Sequence, residues 1–103
     1  MIRRIGDHVD FLDYEVRPDG NTEIVDIAVN SKRRTGRGTE LVKELIGRRP
    51  KTNWVFAITR AENRIAQSFY ASLAFQVMAY LRDFYGDRED AIVYGIRRGE
   101  TQL

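Results

Sequence analysis

The sequence predicts an α/β (α+β) fold, a mixed central sheet flanked by helices, on three observations. An apolar strand-like run ending at Val29 leads into a basic, glycine-bearing loop, Arg33-Arg34-Thr35-Gly36-Arg37-Gly38-Thr39, and then into a helical run from Glu40. Strand-like and helical runs then alternate to the last apolar stretch. No repeat, linker or low-complexity tract divides the 103 residues, so a single domain over 1–103 is expected.

The elements follow from local patterns. His8 to Val16 reads as a strand, Pro18-Asp19-Gly20-Asn21 as a turn and Glu23 to Val29 as a second strand, which makes the pair a hairpin. A helix is expected from Thr39 to about Ile46, ended by Gly47, with Arg48-Arg49-Pro50-Lys51 as a solvated connection. Trp54 to Thr59 reads as a buried strand. In the helix that follows, Ile65, Phe69 and Leu73 recur at helical spacing as a core stripe, while Asn63, Ala66, Gln67 and Tyr70 share a neighbouring face. Phe75 to Leu81 alternates as a strand, Asp83 to Asp90 is a turn-rich loop and Ala91 to Ile96 is the last strand. The expected order is β-β-α-β-α-β-β.

Composition limits the chemistry. There is no cysteine, hence no disulfide, no thiolate metal site and no cysteine nucleophile to carry an acyl group. No apolar run is long enough to span a membrane, and Arg3, Arg4, Asp7 and Asp10 interrupt the start where a signal peptide would lie. A cytoplasmic protein without membrane association is expected. A net charge of +2 argues for no particular partner. His8 is the only histidine and has no paired carboxylate pattern, so it reads as structural or exposed.

The basic loop carries the main functional signal. Gly36 and Gly38 let successive backbone N–H groups turn toward one point, and the next helix adds its free N-terminal donors and positive dipole end. Arg33, Arg34 and Arg37 surround that point with positive charge. An ordinary strand-to-helix connection or a nucleic-acid contact would use the same residue types. Two familiar phosphate loops do not fit. A P-loop needs Lys-Ser/Thr after its last glycine, where Thr39-Glu40 stands, and the dinucleotide fingerprint needs a small residue where Leu41 stands.

The strand Glu23 to Val29, the Arg-x-x-Gly-x-Gly loop and the run Leu41-Val42-Lys43-Glu44-Leu45-Ile46 closely resemble the acyl-coenzyme A motif of the GNAT superfamily of N-acetyltransferases. Asn63-Arg64-Ile65-Ala66-Gln67-Ser68-Phe69-Tyr70-Ala71-Ser72-Leu73-Ala74-Phe75 is similar to that superfamily's second motif, in the expected order and distance. The resemblance covers roughly residues 9 to 96. It departs at the start, since the family's usual N-terminal strand and two helices, which wall the acceptor pocket, have no counterpart here. It departs also at Ala74, where glycine is usual, and at Thr39, where many members carry a further glycine.

The resemblance implies an N-acetyltransferase that moves acetyl from acetyl-CoA directly to a primary amine, small molecule or protein, with no metal and no nucleic acid. A homodimer that completes an open acceptor site is a further expectation. Arg33, Arg34, Thr35, Gly36, Arg37, Gly38 and Thr39 would cradle the phosphates. The backbone at Ile27, Ala28 and Val29 would pair with the pantetheine arm, which Asn63, Ala66, Phe69 and Tyr70 would also line. Asn63 is equally read as a helix N-cap. Tyr70 would protonate the departing thiolate, a role weighed against simple core packing. Glu23 would be the base, with Asp26 as its competitor. The base that N-terminal acetyltransferases often hold five residues before the motif asparagine is replaced by Ile58.

A run Tyr85-Gly86-Asp87-Arg88-Glu89-Asp90-Ala91 looks like that of ribosomal-protein N-terminal acetyltransferases, although Tyr85 also reads as packing under its loop. Two other readings stand beside the enzyme: a non-catalytic acyl-CoA-binding sensor or subunit of a larger assembly, and a nucleic-acid binder using the arginines. The basic residues coincide with the phosphate-loop spacing and are not interleaved with aromatics, which ranks the nucleic-acid reading last.

Overall fold

The computed structural model describes residues 1–31 and 36–98. Eight elements follow in order: β1 (Ile2–Gly6), β2 (Asp10–Val16), β3 (Thr22–Val29), α1 (Arg37–Arg48), β4 (Trp54–Arg60), α2 (Arg64–Ser72), β5 (Gln76–Leu81) and β6 (Ala91–Arg97). The strands form one mixed sheet in the order β1-β2-β3-β4-β6-β5. Only β3 and β4 pair in parallel; all other neighbours are antiparallel.

The sheet has one strand more than the sequence pattern implies. β1 escapes the pattern because only Ile5 of its five residues is buried and two arginines occupy its middle. It pairs with β2 from Ile2↔Glu15 to Gly6↔Phe11, and residues 7–9 form the connecting turn, so His8 and Val9, expected to open a strand, lie outside it. The β2–β3 hairpin forms at the expected turn, where Gly20 takes φ 87 and Arg17 N–H donates to the Asn21 carbonyl at 2.8 Å. Helix α1 begins two residues early and runs through Gly47, which lies in its last turn instead of ending it.

Both helices lie on one face. The crossovers β3-α1-β4 and β4-α2-β5 join parallel strands and step in the same direction across the sheet, so right-handed connections place both helices on the same side. The strands aim Leu12, Tyr14, Ile24, Val55, Ala57, Tyr94 and Ile96 at that side, in register. Helix α1 contributes Leu41, Val42, Leu45 and Ile46, a stripe at helical spacing; Glu40 in its first turn and Arg48 in its last complement the macrodipole. Helix α2 contributes Tyr70, followed by Leu73 and Phe75. No helix among the described residues covers the opposite face, where Trp54, Phe56, Met78 and Val93 border a shallow groove.

The core stripe of α2 differs from the one expected. Ile65 is 86% exposed and Phe69 only partly buried, whereas Tyr70 and Leu73 are buried. The inward face is Ala66, Tyr70 and Leu73, one residue round from the bulkier apolar set.

One irregularity shapes the centre of the sheet. The pairing of β2 with β3 steps from Tyr14↔Ile24 to Asp13↔Asp26, leaving Val25 as a bulged residue. The parallel ladder between β3 and β4 stops at the same place, after Thr22↔Val55, Glu23↔Phe56 and Ile24↔Ala57. A bulge bends its strand and tightens the local twist. Beyond Ile24, β3 leans away from β4, and its edge on that side has no strand partner among the described residues.

Where α2 ends, Ala74 takes φ 67, with its N–H bonded to the Ala71 carbonyl and the Phe75 N–H to that of Tyr70. A side chain in this left-handed turn costs about 1 kcal/mol. Ala74→Gly is therefore expected to stabilise the protein by up to about 1 kcal/mol, less the entropy that glycine adds to the unfolded chain. Urea denaturation checks this; a loss of stability would show that the turn carries no strain.

Candidate active site

The parting of β3 and β4 opens a cleft reached from both sides. One cavity, of about 300 Å³, is bounded by Ile27 and Val29 of β3, Gly38 of α1, and Asn63, Ile65, Ala66, Phe69 and Tyr70 of α2. A second, of about 270 Å³, runs between Val25, Asp26 and Ile27 on one side and Ile58, Thr59 and Arg60 on the other, with Tyr85 at its edge. Ile27, Asn63, Ala66 and Tyr70 belong to both. The two cavities are thus adjoining parts of one cleft, and Tyr70 stands at their junction.

Tyr70 is 3% exposed and packs among Phe69, Phe75 and Tyr94, with ring centroids at 5.2, 5.3 and 6.1 Å. Its hydroxyl has no hydrogen-bond partner among the described residues. Each aromatic neighbour contributes about 0.5–1.5 kcal/mol to holding the ring in place. Burial pushes the phenol well above its ordinary pKa, and the charge of Asp26 acts in the same direction. The group is held as a neutral O–H donor at any physiological pH.

The entrance beside α1 presents backbone donors that no side chain among the described residues caps. Gly36 is the N-cap at φ 86, and no side chain caps the helix. The first-turn N–H groups therefore keep their capacity to bind an acceptor. Gly38 has no room for a side chain without displacing Phe69, whose ring would lie 3.0 Å from an added Cβ. Arg37 opens the helix, 3.9 Å from Asp10 and 3.7 Å from Glu40, and Thr39 lies in the same turn. Arg33, Arg34 and Thr35 lie outside the described residues.

Asn63 caps α2 by accepting from the Ala66 N–H at 3.0 Å, which leaves its side-chain amide nitrogen at the cleft without a described partner. Of the two carboxylates proposed as base, Asp26 lines the cleft. Glu23 lies outside both linings, 3.6 Å from Arg17. Ala28 also stands outside them, paired with Phe11.

Sequence reasoning passed over Val25, Thr59 and Ile65. Val25 and Thr59 carry no chemical motif, and Ile65 has the hydrophobicity and spacing of a core residue. Tyr85 lies under the Arg60 guanidinium at 3.9 Å, and Arg60 is tied to Asp87 and Glu89, so the loop after β5 is fastened to the end of β4. Arg48, expected in a solvated connection, is the last residue of α1 and pairs with Glu44 one turn back, and the neighbouring Arg49 is only partly exposed with its Nε buried; His8 is exposed.

No protein-family model and no curated protein sequence matches the chain. Solved structures do. A GNAT-family protein from Desulfovibrio desulfuricans superposes with a TM-score of 0.78 at 25% identity, over 91% of this chain and 65% of its own. The chain has the GNAT superfamily fold. The ribosomal-protein-S18-alanine N-acetyltransferase of Escherichia coli shares this GNAT architecture at a TM-score of 0.71 and 25% identity, over 93% of this chain and 68% of its own. Arabidopsis thaliana NAA60, solved with acetyl-CoA, shares the GNAT fold at a TM-score of 0.70 and 19% identity, over 86% and 65%. This chain therefore spans about two thirds of the length of these proteins. No helix among the described residues is long and apolar enough to cross a membrane.

The burial of Tyr70 has a direct spectroscopic consequence. In an alkaline titration followed at the tyrosinate band, one of the five tyrosines is expected to ionise last, and Tyr70→Phe to remove that final step. Loss of an earlier step instead would show that the phenol is open to water.

Proposed function

We propose that the protein is an acetyltransferase that moves acetyl from acetyl-CoA to a primary amine by direct attack. The observation that carries this reading is the cleft through the sheet, with an uncapped helix N-terminus at one mouth and a neutral tyrosine at its centre. A coenzyme A thioester has the matching parts. Its pyrophosphate suits the N–H groups of Gly36, Arg37, Gly38 and Thr39, and its amide-bearing arm suits the unpaired edge of β3 at Ile27 and Val29 and the amide of Asn63. Ile65, Phe69 and Val29 give that mouth an apolar rim that excludes water from the arm.

Acetyl-CoA supplies the activated acyl group. The chain's own residues then divide the work. The β3 backbone N–H groups, fixed by the ladder to β2, donate to a carbonyl oxygen that gains negative charge. Tyr70 delivers its hydroxyl proton to the leaving sulfur. Asp26, facing the second cavity, takes the proton of the amine directly or through a water. In this reading Glu23 orients Arg17 and the β2–β3 turn, and the acceptor approaches between Val25, Ile58 and Tyr85. The likeness of the loop after β5 to that of ribosomal-protein N-terminal acetyltransferases favours a peptide or protein amine.

A second reading, a non-catalytic acyl-CoA binder or subunit, is favoured by the position of Glu23 outside the cleft, which leaves Asp26 as the only carboxylate lining it among the described residues. Binding and turnover separate the two. Calorimetric titration at two salt concentrations is expected to give binding of acetyl-CoA and coenzyme A, with a plain nucleotide weaker; absence of binding would reject both readings. Gly36→Asp, which places a side chain and a negative charge at the phosphate position, is expected to abolish that binding. In an acceptor screen that follows thiol release, Tyr70→Phe is expected to slow turnover about 100-fold at unchanged acetyl-CoA affinity. Turnover equal to that of the parent protein would remove Tyr70 from the chemistry.

A further inference from the structure

Asp10 is buried, at 8% exposure, and yet carries a carboxylate. A charge in that position requires donors, and the donors it has are informative. Its Oδ1 accepts from the backbone N–H of Asn30 at 2.8 Å and of Ser31 at 2.9 Å, and its Oδ2 accepts from the Ser31 hydroxyl at 2.6 Å. Arg37 Nε lies 3.9 Å from the same Oδ2. Asn30 and Ser31 are the last described residues before the phosphate loop, and Arg37 is the first helical residue after it. One carboxylate therefore touches both ends.

Asp10 is itself fixed. Its N–H and that of Val9 both donate to Asp7 Oδ1 at 2.8 Å, and the Asp7 N–H donates back to the Asp10 carbonyl at 3.0 Å. Asn30 Nδ2 donates to the Val9 carbonyl at 2.9 Å, a further tie from the loop's entry to this turn. The turn closes only because residue 6 is glycine: φ is +94 and an added Cβ would lie 2.2 Å from the Asp10 carbonyl oxygen.

We propose that Asp10 is a positioning residue for the N-terminus of α1: seated on the β1–β2 turn, its carboxylate ties Asn30 and Ser31 after β3 to Arg37 at the start of α1, setting the first-turn N–H groups for a coenzyme pyrophosphate before one arrives. The proposal rests on the acyl-CoA reading of the cleft. The hydrogen bonds from Ser31 hold the carboxyl below its usual range, so the ionised form that makes these contacts persists at neutral pH. Two effects follow. The N–H groups of Asn30 and Ser31 are already occupied, which leaves phosphate recognition to the α1 N-terminus. The placing of Ser31 and Arg37 by Asp10 is also completed at folding and is not charged against binding.

The test compares acetyl-CoA with acetyl-pantetheine, which carries the same thioester arm without the nucleotide and pyrophosphate, by NMR titration of the whole protein. Asp10→Ala is expected to weaken acetyl-CoA binding about tenfold while leaving acetyl-pantetheine affinity unchanged. Ser31→Ala, a milder change that keeps the buried charge paired through two backbone N–H groups, is expected to lose about threefold with the same selectivity. Equal weakening of both ligands, or unchanged acetyl-CoA affinity in a folded variant, would overturn the positioning role. Failure of the unmodified protein to bind acetyl-CoA would instead overturn the reading of the cleft, and the proposal with it.

Discussion

The bulge at Val25 is the constraint on which the rest of the molecule depends. A strand that continued straight from Ile24 would pair with β4 along its whole length, closing the sheet and burying every backbone donor in a ladder. The extra residue turns β3 aside after three pairs, so the N–H and C=O groups beyond Ile24 are satisfied on one edge only. Unpaired backbone in the middle of a sheet is costly in a closed core and useful in an open one, because it can pair with an amide-bearing ligand. The flanking parts fit that outcome. Helix α1 starts without a side-chain cap, α2 brings Asn63 and Tyr70 to the gap, and the aromatic cluster around Tyr70 keeps its floor rigid.

Electrostatics at the two mouths differ in kind. Beside α1 the positive potential comes from backbone dipoles, supplemented by an arginine that two carboxylates hold in place. At the other mouth, Asp26, Arg60, Asp87 and Glu89 give a mixed, more acidic rim. Tyr70 stands between the two.

Much of the fold was legible in the sequence because the inward residues of β2 and β4 alternate and those of α1 recur at helical spacing. Gly38 and the run from Asn63 to Tyr70, which border one cavity, stood out in the sequence as residue types at fixed separation. What stayed hidden depended on long-range pairing. β1 is an edge strand whose arginines mask its single inward isoleucine. The face of α2 was misread by one position because Ile65 outranks Ala66 in hydrophobicity, yet the tertiary site needs an exposed apolar rim there. Glu23 and Asp26 looked equivalent on one strand; the bulge between them, invisible in composition, decides which one borders the gap. Asp10 gave no local sign at all, since its partners lie some twenty residues away.

The short ladder between β3 and β4 also has a mechanical meaning. It makes the sheet two antiparallel triplets, β1-β2-β3 and β4-β6-β5, sewn together along a seam of three residue pairs. Within each triplet a change of shape breaks ladder hydrogen bonds, whereas a small change of twist at the seam alters the separation of Ile27 from Thr59 and breaks none. The gap thus lies where the two triplets are joined by the fewest strand pairs, and its width is set by the twist between them.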